Sequence, residues 1–162
     1  MFREISRNKK QILSGEECLD ILKKATSGVL CVLGDGDYPY GVPLSYAVSG
    51  DKLYFHCALK GHKVDALKKH EKASFTVIET DQIVPEEYTT YFRSVIAFGK
   101  VRFVENEEEK RQALMLLAEK YSAAFLDGAP KEIESKLKGV CVLEFGMEHL
   151  SGKEAIEFAQ AR

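Results

Sequence analysis

The chain has 162 residues, 45% apolar and 30% charged, which is the balance of a folded globular domain and excludes a disordered one. Its 23 Lys and Arg against 25 Asp and Glu leave a net charge of −2, which argues against a dedicated nucleic-acid binder, since such proteins gather a basic excess on one face. The longest apolar run, Ala113–Ala118, falls far short of the ~18 residues of a membrane span, and no apolar signal-peptide core follows the basic residues Arg3, Arg7, Lys9 and Lys10.

From the N-terminus, Ser14 and Glu17 form a capping-box pair that opens a helix over Gly15–Lys24. Cys18, Ile21 and Leu22 share one of its faces, and Gly28 lies just beyond its end. The continuous apolar run Val29–Leu33 reads as a strand buried on both faces, and Gly34–Asp37 as a turn. Tyr40–Val48 and Lys52–Ala58 read as strands around a hairpin turn, Ser49-Gly50-Asp51. A short helix over His62–His70 carries Val64 and Leu67 on one side, and Ala73–Ile78 is another strand. Phe92–Val104 is the longest strand, continuous at first and then alternating as one face meets water. Asn106 with Glu109 opens the longest helix, whose buried stripe is Leu114, Leu117, Ala118, Tyr121 and Phe125. Gly139–Phe145 returns as a last strand. Strands joined mainly by short turns, with peripheral helices, predict a single α+β, mainly β domain over residues 1–162, built as an antiparallel barrel.

The four cysteines, Cys18, Cys31, Cys57 and Cys141, show neither Cys-x-x-Cys nor zinc-finger spacing, as expected of a reduced, cytoplasmic chain. Three segments carry candidate chemistry. Pro43 interrupts a strand, which makes it an edge or a bulge and leaves backbone groups beside Leu44, Ser45 and Tyr46 free to read a planar heterocycle. Lys60-Gly61-His62-Lys63 opens a helix, where unpartnered N–H groups and the helix dipole suit a phosphate. Alternation sets Leu53, Phe55 and Cys57 on one face and Tyr54, His56 and Ala58 on the other, with His56 a ring-to-phosphate length from His62. The third segment clusters Tyr88, Tyr91 and Phe92 beside Arg93 and Ser94, where an aromatic group next to Arg can cover a ring and hold an anion. His56, Cys57, His62 and His70 do not converge as zinc ligands, because strand neighbours face opposite ways. No G-x-S-x-G elbow or Rossmann glycine set occurs.

Together, YPYGVPLSYA, KLYFHCALKGHKVDAL and TTYFRSVIAFGKV resemble the pyridoxamine 5′-phosphate oxidase-like split-barrel superfamily, and within it the Nim type of nitroimidazole-resistance proteins. The resemblance implies a six-stranded antiparallel split barrel that dimerises and binds flavin mononucleotide (FMN) at the subunit interface. It places the ring against Pro43, Leu44, Ser45 and Tyr46 and the strand His56-Cys57-Ala58. It places the phosphate on Lys60, Gly61, His62 and Lys63, with Tyr91, Phe92, Arg93 and Ser94 closing the site from the partner. His56 or His62 is the implied catalytic histidine, and no metal is implied. The implied activity is flavin-dependent reduction of the nitro group of a small aromatic compound; the alternative is an FMN- or haem-binding carrier or sensor without turnover. The C-terminal Arg-and-His segment of true pyridoxamine phosphate oxidases is missing from the tail Ala155–Arg162, so vitamin B6 oxidation is not expected.

Overall fold

The computed structural model describes all of Met1–Arg162. Seven strands, β1 (Gly28–Leu33), β2 (Pro39–Leu44), β3 (Ala47–Ser49), β4 (Lys52–Cys57), β5 (Lys72–Val84), β6 (Thr89–Phe103) and β7 (Cys141–Glu154), form one sheet. Their order is β2-β1-β5-β6-β7-β4-β3, and every pair is antiparallel. The two edges, β2 and β3, are consecutive in the chain and joined only through Ser45 and Tyr46. Leu44 and Ala47 therefore lie at most about 11 Å apart at ~3.6 Å per extended residue, so the sheet must curl until its edges meet.

Five helices accompany the sheet: α1 (Gly15–Lys24), α2 (His62–Lys69), α3 (Glu107–Tyr121), α4 (Ala129–Lys136) and α5 (Ile156–Gln160). Helix α1 begins at a complete capping box, Ser14 accepting from the Glu17 amide while the Glu17 carboxylate accepts from the Ser14 amide, and buries Cys18, Ile21 and Leu22 as expected. The main core joins α1 and α2 to the inner face of the barrel, where Phe75 meets Tyr46 and Phe55 edge-on at 4.8 and 5.2 Å. Helices α3 and α4 pack on each other, and α3 also covers β3, β4 and β7, with Ala113 clustered with Val104 and Val142.

Several expectations change. The sheet has seven strands rather than six, since the run expected over Tyr40–Val48 divides at Ser45–Tyr46. Strand β1 is not buried on both faces: Leu30 and Val32 point into the core while Val29, Cys31 and Leu33 point out. Gly28 does not end α1, which closes on Ala25; it begins β1, where the Phe75 ring would lie 2.4 Å from an added Cβ. β5 runs to Val84 and β7 to Glu154, well past the apolar stretches, because pairing with β6 satisfies the backbone of polar residues that hydropathy leaves out. Phe125 does not join the α3 stripe: the helix ends at Tyr121, and Phe125 is 78% exposed in the turn that follows. No helix is long and apolar enough to cross a membrane.

Candidate functional site

Pro43 lies on β2, an edge strand paired only with β1, where its missing N–H costs no ladder bond. Continuing the β3–β4 register past Ala47–Tyr54 would set Ser45 opposite His56, but the ladder stops and the strands part. The gap is not left open. The Tyr121 hydroxyl, from the last turn of α3, accepts from the Tyr46 amide at 2.9 Å and faces the Tyr46 and Thr26 carbonyls at 3.0 and 2.6 Å. Of the backbone groups expected to be free, those of Tyr46 are thus taken by a side chain more than seventy residues away. Lys120 Nζ sits 3.9 Å above the Tyr46 ring with no hydrogen-bond partner, and burial pulls its pKa down.

Between this gap and the α3–α4 pair lies a cavity of about 650 Å³. Ser45 and His56 form its strand side, while Leu117, Ala118 and Ile133 contribute to its apolar roof, with Phe125 also on its lining. His56 is exposed on the outer face of β4, as alternation predicts, with Phe55 and Leu53 fully buried on the inner face. The sequence reading missed the roof. The available signal was the surplus of apolar residues on α3, more than one buried stripe requires.

The second predicted group starts α2. Gly61 is the N-cap at φ 145°, without a side-chain cap, and nothing lies within 4 Å of where its Cβ would stand. Uncapped amides with open space before them, flanked by Lys60 and Lys63, suit a bound phosphate. Lys63 lies beside the Cys57 sulfur; the S–H of Cys141 and then the Lys63 ammonium outweigh burial and lower the Cys57 pKa to about 7. His62 is engaged elsewhere: its Nε2 accepts from the Asp35 amide at 3.0 Å and its ring packs on Tyr40 at 4.2 Å. It latches α2 to the β1–β2 turn.

The third group stands apart. Arg93 donates through Nε and an Nη atom to the fully buried Glu154, at 3.0 and 2.9 Å, and lies 4.8 Å from the Phe158 ring centre. Tyr91 meets the same ring edge-on and bonds Glu87, while Tyr88 is almost fully exposed. Arg93 faces Glu154 at one end of β7 and Cys57 faces Cys141 at the other. Those ends lie at opposite termini of β7, Cys141 and Glu154. Of the predicted site residues, the cavity lining brings together Ser45 and His56 and includes none of Lys60–Lys63 or Tyr91–Ser94.

The cavity carries His56 on its strand side, and the uncapped start of α2 follows at Gly61, five residues further along the chain. Residues 14–154 match the sequence profile described as pyridoxamine 5′-phosphate oxidase. Over 69 residues the chain is 33% identical to an uncharacterized protein of Rhizobium meliloti (strain 1021), a stretch covering 43% of this chain and 44% of that one, less than half its length. Among solved structures, a candidate 5-nitroimidazole antibiotic resistance protein from Bacteroides thetaiotaomicron superposes with a TM-score of 0.72 at 21% identity, covering 95% of this chain and 96% of that one. A FAD and haem binding protein from Mycobacterium smegmatis gives a TM-score of 0.71 at 21% identity, covering 93% and 80%. At these identities the structural likeness shows the fold.

Proposed function

Because this chain belongs to the pyridoxamine 5′-phosphate oxidase family, we propose that it is an FMN-dependent reductase of small nitroaromatic compounds that works as a homodimer. The observation that carries this reading is His56, an imidazole on the strand side of an apolar cavity, one short connection from the uncapped basic start of α2. Pro43, Leu44, Ser45 and the strand His56–Ala58 would hold the ring, and Lys60, Gly61 and Lys63 the phosphate. Bound flavin would supply the electron transfer to the nitro group. The chain's own residues do the rest. The α3–α4 roof would exclude water and select a flat, largely apolar substrate, and His56, on the cavity wall, would pass a proton to it.

The outer face of the sheet supports a second copy. Register aligns Pro43, Val29, Thr76, Ile96 and Ser151 in one row and Gly41, Cys31, Ser74, Phe98 and His149 in the next, without a Lys, Arg, Asp or Glu in either. In the proposed dimer on this face, the Tyr91–Ser94 corner of one subunit would close the cavity of the other. A purified protein that is monomeric by light scattering, yet binds FMN at full strength, would end this part of the reading.

The cofactor is tested by extraction from the purified protein and its identification by mass, which separates FMN from FAD and from haem. Turnover is tested by mixing the anaerobically reduced holoprotein with a 5-nitroimidazole. Reoxidation no faster than in buffer would make this a binding protein rather than an enzyme. In that assay His56→Ala should slow reoxidation by about a hundredfold, the lower end of general-acid contributions, whereas His62→Ala should act mainly on cofactor affinity. Lys63→Ala should weaken FMN binding roughly 10–150-fold, since a charge-assisted bond to phosphate is worth about 1.5–3 kcal/mol. Unchanged affinity in a fluorescence titration would move the phosphate elsewhere.

A further inference from the structure

We propose that Cys57 and Cys141 are a redox-active pair that closes reversibly into a cross-strand disulfide, with Cys57 as the attacking sulfur. Cys57 is the last residue of β4 and Cys141 the first of β7, and the register sets them directly opposite each other. Residues so paired on antiparallel strands have Cα atoms about 4.5–5.5 Å apart, inside the ~4.4–6.8 Å range that a disulfide spans. Both side chains pack at the rim of the main core, half-buried, and both are free thiols on residues that face each other across the ladder. Their place at the end of the ladder lets the backbone adjust without breaking further pairs.

The two sulfurs are not equivalent. The neighbouring Cys141 thiol and the Lys63 ammonium draw the Cys57 pKa down to about 7, whereas Cys57 and burial push Cys141 up, which makes Cys57 the better nucleophile. Lys110 is the other cation near Cys141. Neither remaining cysteine has such a partner: Cys18 is sealed beneath Gly152 inside the core, and Cys31 lies on the outer face of β1 opposite Gly41.

The oxidant is a peroxide. The Cys57 thiolate attacks one peroxide oxygen, the O–O bond breaks, and the sulfur becomes a sulfenic acid as the other oxygen leaves as hydroxide, which takes back from solvent the proton Cys57 had lost and becomes water. Cys141 then attacks that sulfur, the S–O bond breaks, a second water leaves and the S–S bond forms. Two thiols and one hydrogen peroxide become one disulfide and two waters. Closure also removes the anion beside Lys63, leaving that ammonium to the start of α2.

The test uses the full chain, reduced and freed of reductant, then treated with equimolar hydrogen peroxide and digested without reduction. The expected result is loss of two of the four thiols, a peptide linking Cys57 to Cys141 within one chain, and full recovery with dithiothreitol. In Cys141→Ser the link is absent and dimedone traps a sulfenic acid at Cys57. Lys63→Ala should slow thiol loss severalfold at neutral pH by raising the Cys57 pKa. Persistence of all four thiols, a link between chains or through Cys18 or Cys31, or a dimedone adduct elsewhere would overturn the proposal. Reading the linked peptide and the dimedone adduct on flavin-stripped as well as as-purified protein separates this proposal from the flavin reading.

Discussion

Arg93→Ala should destabilise the protein by about 3 kcal/mol, measured as a lowered urea midpoint with an unchanged slope. Glu154 has no exposed surface and lies directly across the ladder from Arg93, which meets its Oε2 through two donors. Removing one partner of a buried pair costs about 3–5 kcal/mol, because the other charge stays buried without it. The lower end applies, since the Arg93 side chain is 29% exposed and Arg162 also pairs with Glu154. The guanidinium also packs over Phe158, so truncation removes apolar contact as well as charge. Arg93→Lys should fall between, keeping the charge but losing the two-donor geometry. A loss below about 1 kcal/mol, the range of exposed pairs, would mean that Arg162 alone holds Glu154. The same result bears on function. Any change in flavin affinity on altering Arg93 must be read at equal folded fraction, because this residue holds its own subunit's corner together before it can meet a partner.

Gly99→Ala is expected to be at least as damaging, about 3 kcal/mol or more, or to prevent soluble expression. Its Cβ would stand 2.0 Å from the Gly146 carbonyl oxygen and 3.1 Å from the Phe145 ring. The obstacle is backbone, so no rotamer change relieves it and the β6–β7 ladder must spread. The position sits at a bulge, where pairing shifts from Phe98–His149 to Gly99–Met147 and skips Glu148. Gly15→Ala is the control: nothing lies within 4 Å of its Cβ site in the first turn of α1. That change should be neutral or stabilising by about 0.4–1 kcal/mol through the unfolded chain. Equal denaturation midpoints for the two variants would refute the close approach of β6 and β7.

What the amino-acid order determined by itself was whatever depends on near neighbours. Ser14 and Glu17 set the start of α1 because both capping bonds close within four residues, and alternation alone placed Phe55 inside and His56 outside. Pro43 marked an edge strand because a missing donor is a local fact. Tertiary structure decided what depends on distant partners. The second half of β7, Gly146–Glu154, looks too polar and glycine-rich for a strand, yet it is one because β6 supplies its hydrogen bonds. The Tyr46 backbone that seemed available to a ligand is taken by Tyr121, and His62, equal to His56 in sequence, is tied to the β1–β2 turn. Facing of Cys57 and Cys141 across eighty-odd residues follows only from the β4–β7 register. Each is a long-range pairing whose loop-closure cost is repaid only when the whole barrel forms, so no window of sequence contains it.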